Sequence, residues 1–301
     1  MTTPPTMKIT ALAPWFGGKR TLAPRIVAEL GKHTSYWEPF CGGVSVLLQK
    51  PRVRQECLND RHQDMTNLAI VVASPRWVEF YERSISALYS EGFYELCLAE
   101  IQKPGVFADS AADVSDAALN RAFAYLVLSW MGRNGAAGTE RINYQFTMRY
   151  TNNGGDSATR WTQVAESIPA WHERLRGVVI SRRCGLELCE KIDDAPGCAI
   201  YADPPYIEEG DVYEHKFTAC GGMFGDDHQR LADALRAKKH ARCVVSYYDH
   251  PRLKELYPGW TIVKATMNKA LAAQNKRGAV RAEAPEVLIV NGPSFTAGGG
   301  A

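Results

Sequence analysis

No two of the eight cysteines form a C-x-x-C pair, and none of the seven histidines has H-x-x-x-H or H-E-x-x-H spacing. The common zinc motifs are therefore missing. Thiols dispersed through a chain of this size favour free cysteines in a reducing compartment over a disulfide framework. Long apolar runs are missing too. The longest, Ala122 to Met131, is about half of the ~20 residues that a bilayer span needs. The chain does not open on a charged segment followed by an apolar one, so no secretory signal is expected. These absences lead us to expect a soluble cytoplasmic protein. Net charge is only +2 over 301 residues, which by itself identifies no partner. Hydrophobic residues at 46% and charged residues at 23% exclude disorder, collagen and coiled coil. The length admits one large domain or two smaller ones.

One segment lacks lysine altogether. From Asn120 to Arg183 there are nine arginines and no lysine against four acids, a local balance of +5. The preceding stretch, Pro75 to Leu119, has eight acids against three bases. Planar guanidinium groups make forked hydrogen bonds to phosphates and base edges that an ammonium cannot. The arginine segment therefore suggests a polyanionic partner, although an ordinary solvated surface gives the same pattern.

Residues 1–6 and 293–301 look like loose tails. Between them, short apolar or β-branched runs bounded by turn residues predict strands at Tyr36–Phe40, Gln55–Leu58, Val178–Ser181, Cys198–Ala202, Cys243–Tyr247, Thr261–Ala265 and Val287–Val290. Helical patterns occupy Leu22–Leu30, Ser45–Gln49 and Asp227–Ala237. Strand–helix alternation of this kind predicts a mostly parallel α/β sheet. The alternation breaks over 61–170, where the pattern is helical (Trp77–Ser90, Ala117–Trp130) and then irregular. Arg141 to Tyr150 alternates polar and apolar residues, as a β-hairpin arm does, with Asn152–Gly155 as its turn. We read 61–170 as an inserted, mainly helical domain carrying a β-hairpin, and 7–60 with 171–292 as a discontinuous sheet domain.

Three places carry chemistry. Glu38-Pro39-Phe40-Cys41-Gly42-Gly43 ends a predicted strand in a glycine turn, the usual ligand position in open α/β sheets. It is not G-x-G-x-x-G and no P-loop lysine follows, so nucleotide phosphate is not the obvious ligand. About twenty residues on, Leu58-Asn59-Asp60 ends another strand. Asp60 is placed either to accept hydrogen bonds from ribose hydroxyls or to cap the next helix. Third, Asp203-Pro204-Pro205-Tyr206 follows Cys198–Ala202. Consecutive prolines stiffen the turn and remove two N–H donors. Asp203 and the Pro204 carbonyl can then act as two acceptors for one amino group, with Tyr206 as a flat stacking face.

In this order the motifs resemble the Dam-type DNA adenine-N6 methyltransferases of bacteria and their phages, in which a target-recognition insert precedes D-P-P-Y. Pro14-Trp15-Phe16-Gly17-Gly18-Lys19 is similar to the family's N-terminal cofactor motif, and Glu38–Gly43 to its glycine motif. Leu58–Asp60 resembles the ribose motif, and Asp203–Tyr206 matches the catalytic motif. Phe224–Leu235, Val245–His250 and Glu286–Val290 resemble later core elements, and Asn134-Gly135 the start of a base-reading hairpin. The resemblance implies a Rossmann-like sheet binding S-adenosylmethionine. Trp15, Gly18 and Lys19 would flank that cofactor, with Lys19 near its methionine carboxylate. Glu38, Phe40, Gly42 and Asp203 would line the pocket, Asp60 would take the ribose, and Glu187 is a candidate for the adenine. Asp203, Pro204, Pro205 and Tyr206 would be catalytic, acting on an adenine flipped out of double-stranded DNA. Arg133, Asn134, Arg141 and Arg149 would contact that DNA.

No metal, membrane or obligate protein partner is expected. RNA adenine or protein-glutamine methylation would use a similar acceptor turn, and a non-catalytic DNA-binding relative is the remaining alternative. The polar, glycine-containing segment Ile207–Gly225 is expected to close over the flipped base. Plain GATC is not the expected target. GATC-specific members place a lysine before the Trp and an arginine three residues beyond the hairpin Asn-Gly, where this chain has Pro14 and Gly138.

Overall fold

The computed structural model describes residues 7–132, 145–148, 150–151, 155–207, 225–268 and 283–296. In chain order its elements are α1 (Ala23–Leu30), β1 (Ser35–Glu38), α2 (Ser45–Gln49), β2 (Gln55–Asn59), α3 (Gln63–Ala73), α4 (Trp77–Ser86), α5 (Glu91–Ile101) and α6 (Asp116–Met131). There follow β3 (Tyr150–Thr151), β4 (Gly155–Asp156), α7 (Ser157–Leu175), β5 (Val179–Ser181), α8 (Gly185–Lys191) and β6 (Cys198–Ala202). The chain ends with α9 (Gly225–Arg236), β7 (Arg242–Tyr248), α10 (Leu253–Leu256), β8 (Thr261–Asn268) and β9 (Glu283–Val290). Contacts divide it into two compact units. One comprises Met1–Gly18, Gly42–Leu48 and Asp60–Arg182, the other Lys19–Cys41, Gln49–Asn59 and Arg183–Ala301. Residues 7–18, 42–48, 60 and 171–182, assigned above to the sheet domain, fall in the first unit.

The first unit is mainly helical because its sequence caps helices repeatedly. The side chains of His62, Ser90, Ser115 and Asp156 accept from the backbone N–H groups of Met65, Phe93, Ala118 and Thr159, starting α3, α5, α6 and α7. Helix α6 is buried on nearly every side, as a central helix must be. The indole N–H groups of Trp130 and Trp171 donate to the carbonyls of Leu12 (2.8 Å) and Ile9 (2.7 Å), fastening the N-terminal segment to α6 and α7. Strands β3 and β4 pair antiparallel through Tyr150↔Asp156 and Thr151↔Gly155.

The second unit carries strands in the order β2-β1-β6-β7-β9-β8, all parallel except β9. Strand β5 falls in the first unit. Central β6 is buried at all five positions, which explains why its sequence shows no alternation. Register then fixes the site. Ala202 pairs with Val245, so Asp203 follows β6 at the level of Ser246. Tyr248 pairs with Glu286, so the reversed strand β9 delivers Glu286 to the same carboxyl edge of the parallel strands.

Near the C-terminus, Glu29 of α1 accepts from Ser294 Oγ (2.5 Å), Phe295 N (3.0 Å) and Thr296 N (3.1 Å). Residues 294–296 are thereby held to α1, where the sequence alone suggests a loose tail.

Candidate active site

Asp203 is surrounded by side chains of its own unit. Ser246 Oγ donates to Asp203 Oδ1 at 2.6 Å, and the Tyr201 hydroxyl lies 2.9 Å from the same Ser246 oxygen. Lys19 Nζ stands 2.8 Å from Asp203 Oδ2 and 3.1 Å from Glu286 Oε1. The Tyr206 hydroxyl donates to Glu286 Oε1 and lies 3.2 Å from Asp203 Oδ1. Lys19 is thus no solvated surface lysine; it is buried between two carboxylates. The Asp203 side chain keeps 19% of its surface exposed, against 5% for Lys19 and Glu286. Of the two carboxylates, Asp203 is the one with an edge that can meet a substrate.

The electrostatics follow from this packing. Burial pushes the Asp203 pKa up, Lys19 opposes that shift and Glu286 adds to it, and the net result is above the ordinary aspartate value. Burial works against the Lys19 ammonium, but Asp203 and Glu286 outweigh it and hold its pKa above the ordinary lysine value. Burial and the same two carboxylates push Tyr206 far up, so its phenol stays protonated and donates. Tyr206 is 5% exposed; its ring meets Tyr248 edge-on at 4.5 Å and has Lys19 Nζ 5.1 Å from its centroid.

Glu38 closes β1, buried, and accepts from the Tyr36 hydroxyl at 2.8 Å. The turn after it is stitched by Asn59, a fully buried residue to which the sequence reading gives no separate role. Asn59 Nδ2 donates to Pro39 O (2.8 Å) and Arg183 O (3.0 Å), while its Oδ1 accepts from Arg183 N at 2.8 Å. Gly185 at the start of α8 is required because a Cβ there would collide with the Phe40 ring. Glu187, two residues on, is exposed.

In the first unit Asp60 holds the glycine turn. Its Oδ2 accepts from Gly42 N at 2.8 Å and its Oδ1 from His62 N at 2.9 Å. The cap of α3 is His62, not Asp60. Gly42 has φ +44°, and a Cβ there would lie 2.8 Å from the Trp15 indole, which itself meets the His62 ring edge-on at 5.3 Å. Gly18 N donates to Trp15 O at 3.0 Å. A carboxylate has about four lone-pair positions, so each Asp60 oxygen keeps a free one after these contacts. The carboxyl group is half-buried and pre-aimed, which fits a vicinal diol such as a ribose.

The structure therefore brings Lys19 to Asp203 and Tyr206, and Trp15, Gly18, Gly42 and Asp60 to one another. It adds Glu286, Ser246, Tyr201 and Asn59. A glutamate opening the apolar run Glu286–Val290 was the only sequence signal for Glu286. Arg133, Asn134, Arg141 and Arg149 lie outside the described residues, as does most of Ile207–Gly225. Among the described residues no cluster of three or more His, Cys, Asp or Glu could hold a metal, and no helix is long and apolar enough to cross a membrane. Residues 15–270 match the family described as D12 class N6 adenine-specific DNA methyltransferase, a span that ends before Glu286. No curated protein matches the chain.

Proposed function

The chain belongs to the D12 class N6 adenine-specific DNA methyltransferase family, and from that premise we propose that it methylates adenine N6 on a base flipped out of double-stranded DNA, using S-adenosylmethionine. The observation that carries this reading is the Asp203 carboxylate, fixed by three side chains yet partly exposed at a strand end. Adenine N6 is a poor nucleophile because its lone pair is delocalised into the ring. Hydrogen bonds from its amino group to Asp203 and the Pro204 carbonyl draw that lone pair back onto nitrogen. Pro204 and Pro205 have no N–H to compete for those acceptors. The cofactor, when bound, supplies a sulfonium methyl group; Asp60 and the Gly42 turn would hold its ribose. Trp15, Gly18, Lys19, Glu38 and Phe40 are the other residues proposed to line its pocket. Positioning and electrostatics supply most of the acceleration. The target base cannot be reached inside a duplex, so flipping is required, with Tyr206 as its stacking partner.

Incubation with methyl-labelled S-adenosylmethionine and plasmid DNA, RNA or total protein tests this directly. Label should enter DNA and be recovered as N6-methyladenine. Label in RNA or in protein glutamine instead would overturn the reading. Methylation-sensitive long-read sequencing of the modified plasmid should then report a motif other than plain GATC. Replacing Arg133, Arg141 or Arg149 by alanine relaxes that motif at one position if the residue reads a base, by ~1–3 kcal/mol of discrimination. A phosphate contact instead weakens binding to all sequences evenly.

A further inference from the structure

Among the described residues, the cluster around Asp203 contains one more carboxylate than its charge balance requires. Asp203 alone would neutralise Lys19, yet Glu286 Oε1 also lies 3.1 Å from Lys19 Nζ and accepts from the Tyr206 hydroxyl. Glu286 keeps 5% of its side chain exposed against 19% for Asp203, so of the two carboxylates Asp203 presents the edge to a substrate amino group. Keeping a second buried carboxylate is unfavourable unless its partners compensate it. Those partners, Lys19 and Tyr206, are the same groups that touch Asp203.

We propose that Glu286 is a positioning residue for methyl transfer: it anchors Tyr206 and Lys19 against Asp203, and its negative charge makes Asp203 a stronger acceptor for the amino protons. The inference rests on the function proposed above. In the step concerned, the N6 lone pair forms the new N–C bond as the methyl–sulfur bond breaks, with that electron pair staying on sulfur. The nitrogen, now cationic, gives one proton to Asp203, which releases it to water. Glu286 touches none of the reacting atoms; it sets how readily Asp203 takes that proton.

The described groups facing Asp203 are Lys19, Tyr201 from β6, Tyr206 from its own turn, Ser246 and Tyr247 from β7, and Glu286 from β9. The tyrosines are held neutral by burial, so Lys19 and Glu286 supply the opposing charges. Asp203 must be ionised to accept protons, so activity is lost as pH falls through its pKa. Removing the Glu286 charge lowers that pKa and moves the acid limb to lower pH, while leaving a weaker acceptor above it.

The test compares pH profiles of kcat on plasmid DNA for the wild type, Glu286→Gln and Glu286→Asp. Glutamine keeps the size and an acceptor oxygen for Tyr206. Its acid limb should lie lower by on the order of one pH unit, with plateau kcat reduced about threefold to tenfold. Aspartate keeps the charge, so its acid limb should stay at the wild-type position, which also decides the matter if the glutamine variant fails to fold. An acid limb that ignores Glu286→Gln, or that moves for Glu286→Asp as well, overturns the proposal. A wild type that leaves DNA unmethylated would instead sink the functional reading beneath it.

Discussion

Asp60 and Asp203 each stand one residue beyond a strand, β2 and β6, but they are held by different means. The oxygens of Asp60 are fixed by backbone N–H groups of Gly42 and His62. Those of Asp203 are fixed by side chains: Lys19, Ser246 and Tyr206. Backbone donors persist whatever the side chains are, so the Asp60 turn suits a ligand whose shape never varies. Side-chain partners carry charge and set proton affinity, so the Asp203 cluster suits a group that must handle protons. On the function proposed, one aspartate is placed for geometry and the other is tuned for reactivity.

Three substitutions bear on that contrast. Lys19→Met leaves Asp203 and Glu286 facing each other without their cation, and removing one partner of a buried pair costs about 3–5 kcal/mol. Thermal denaturation should show a loss of that size; wild-type stability would mean that the lysine does not organise the cluster. Asp60→Asn exchanges one acceptor oxygen for an amide. The cofactor KM should rise about tenfold, the value of roughly one strong hydrogen bond, with kcat within about a factor of two. A fall in kcat with KM unchanged would erase the distinction between the two aspartates. Ser246→Ala removes one donor to Asp203, about 1 kcal/mol. It should lower kcat about fivefold in steady-state assays and leave the cofactor KM alone.

Much of the sheet is legible in the sequence because its strands are short apolar runs between turn residues. Cys198–Ala202 is found with its ends intact, and Gln55–Leu58 and Val178–Ser181 within one residue. Helices α4 and α6 are legible too, from their periodicity and acidic first turns. The long helix α7 is not, because Pro169 reads as a helix breaker, although the buried pattern Trp161, Val164, Ala165, Ile168, Trp171 continues through it. Helix α3 escapes because eight of its eleven residues are buried, leaving little polar face to reveal a period. At the site, Asp203 and Lys19 can be named from their motifs, but their ion pair cannot, because 184 residues separate them. Glu286 needs the register of β9 against β7 before it acquires a role.

The central claim is that Asp203 accepts the amino group of the adenine to be methylated. The measurement that tests it is N6-methyladenine in plasmid DNA, quantified by mass spectrometry after incubation with S-adenosylmethionine and either the wild type or Asp203→Ala. Glu286 still balances Lys19 in that variant, so the fold and cofactor affinity should survive while the product falls by about 10³-fold or more. A folded, cofactor-binding Asp203→Ala protein that methylates adenine at the wild-type rate would contradict the account.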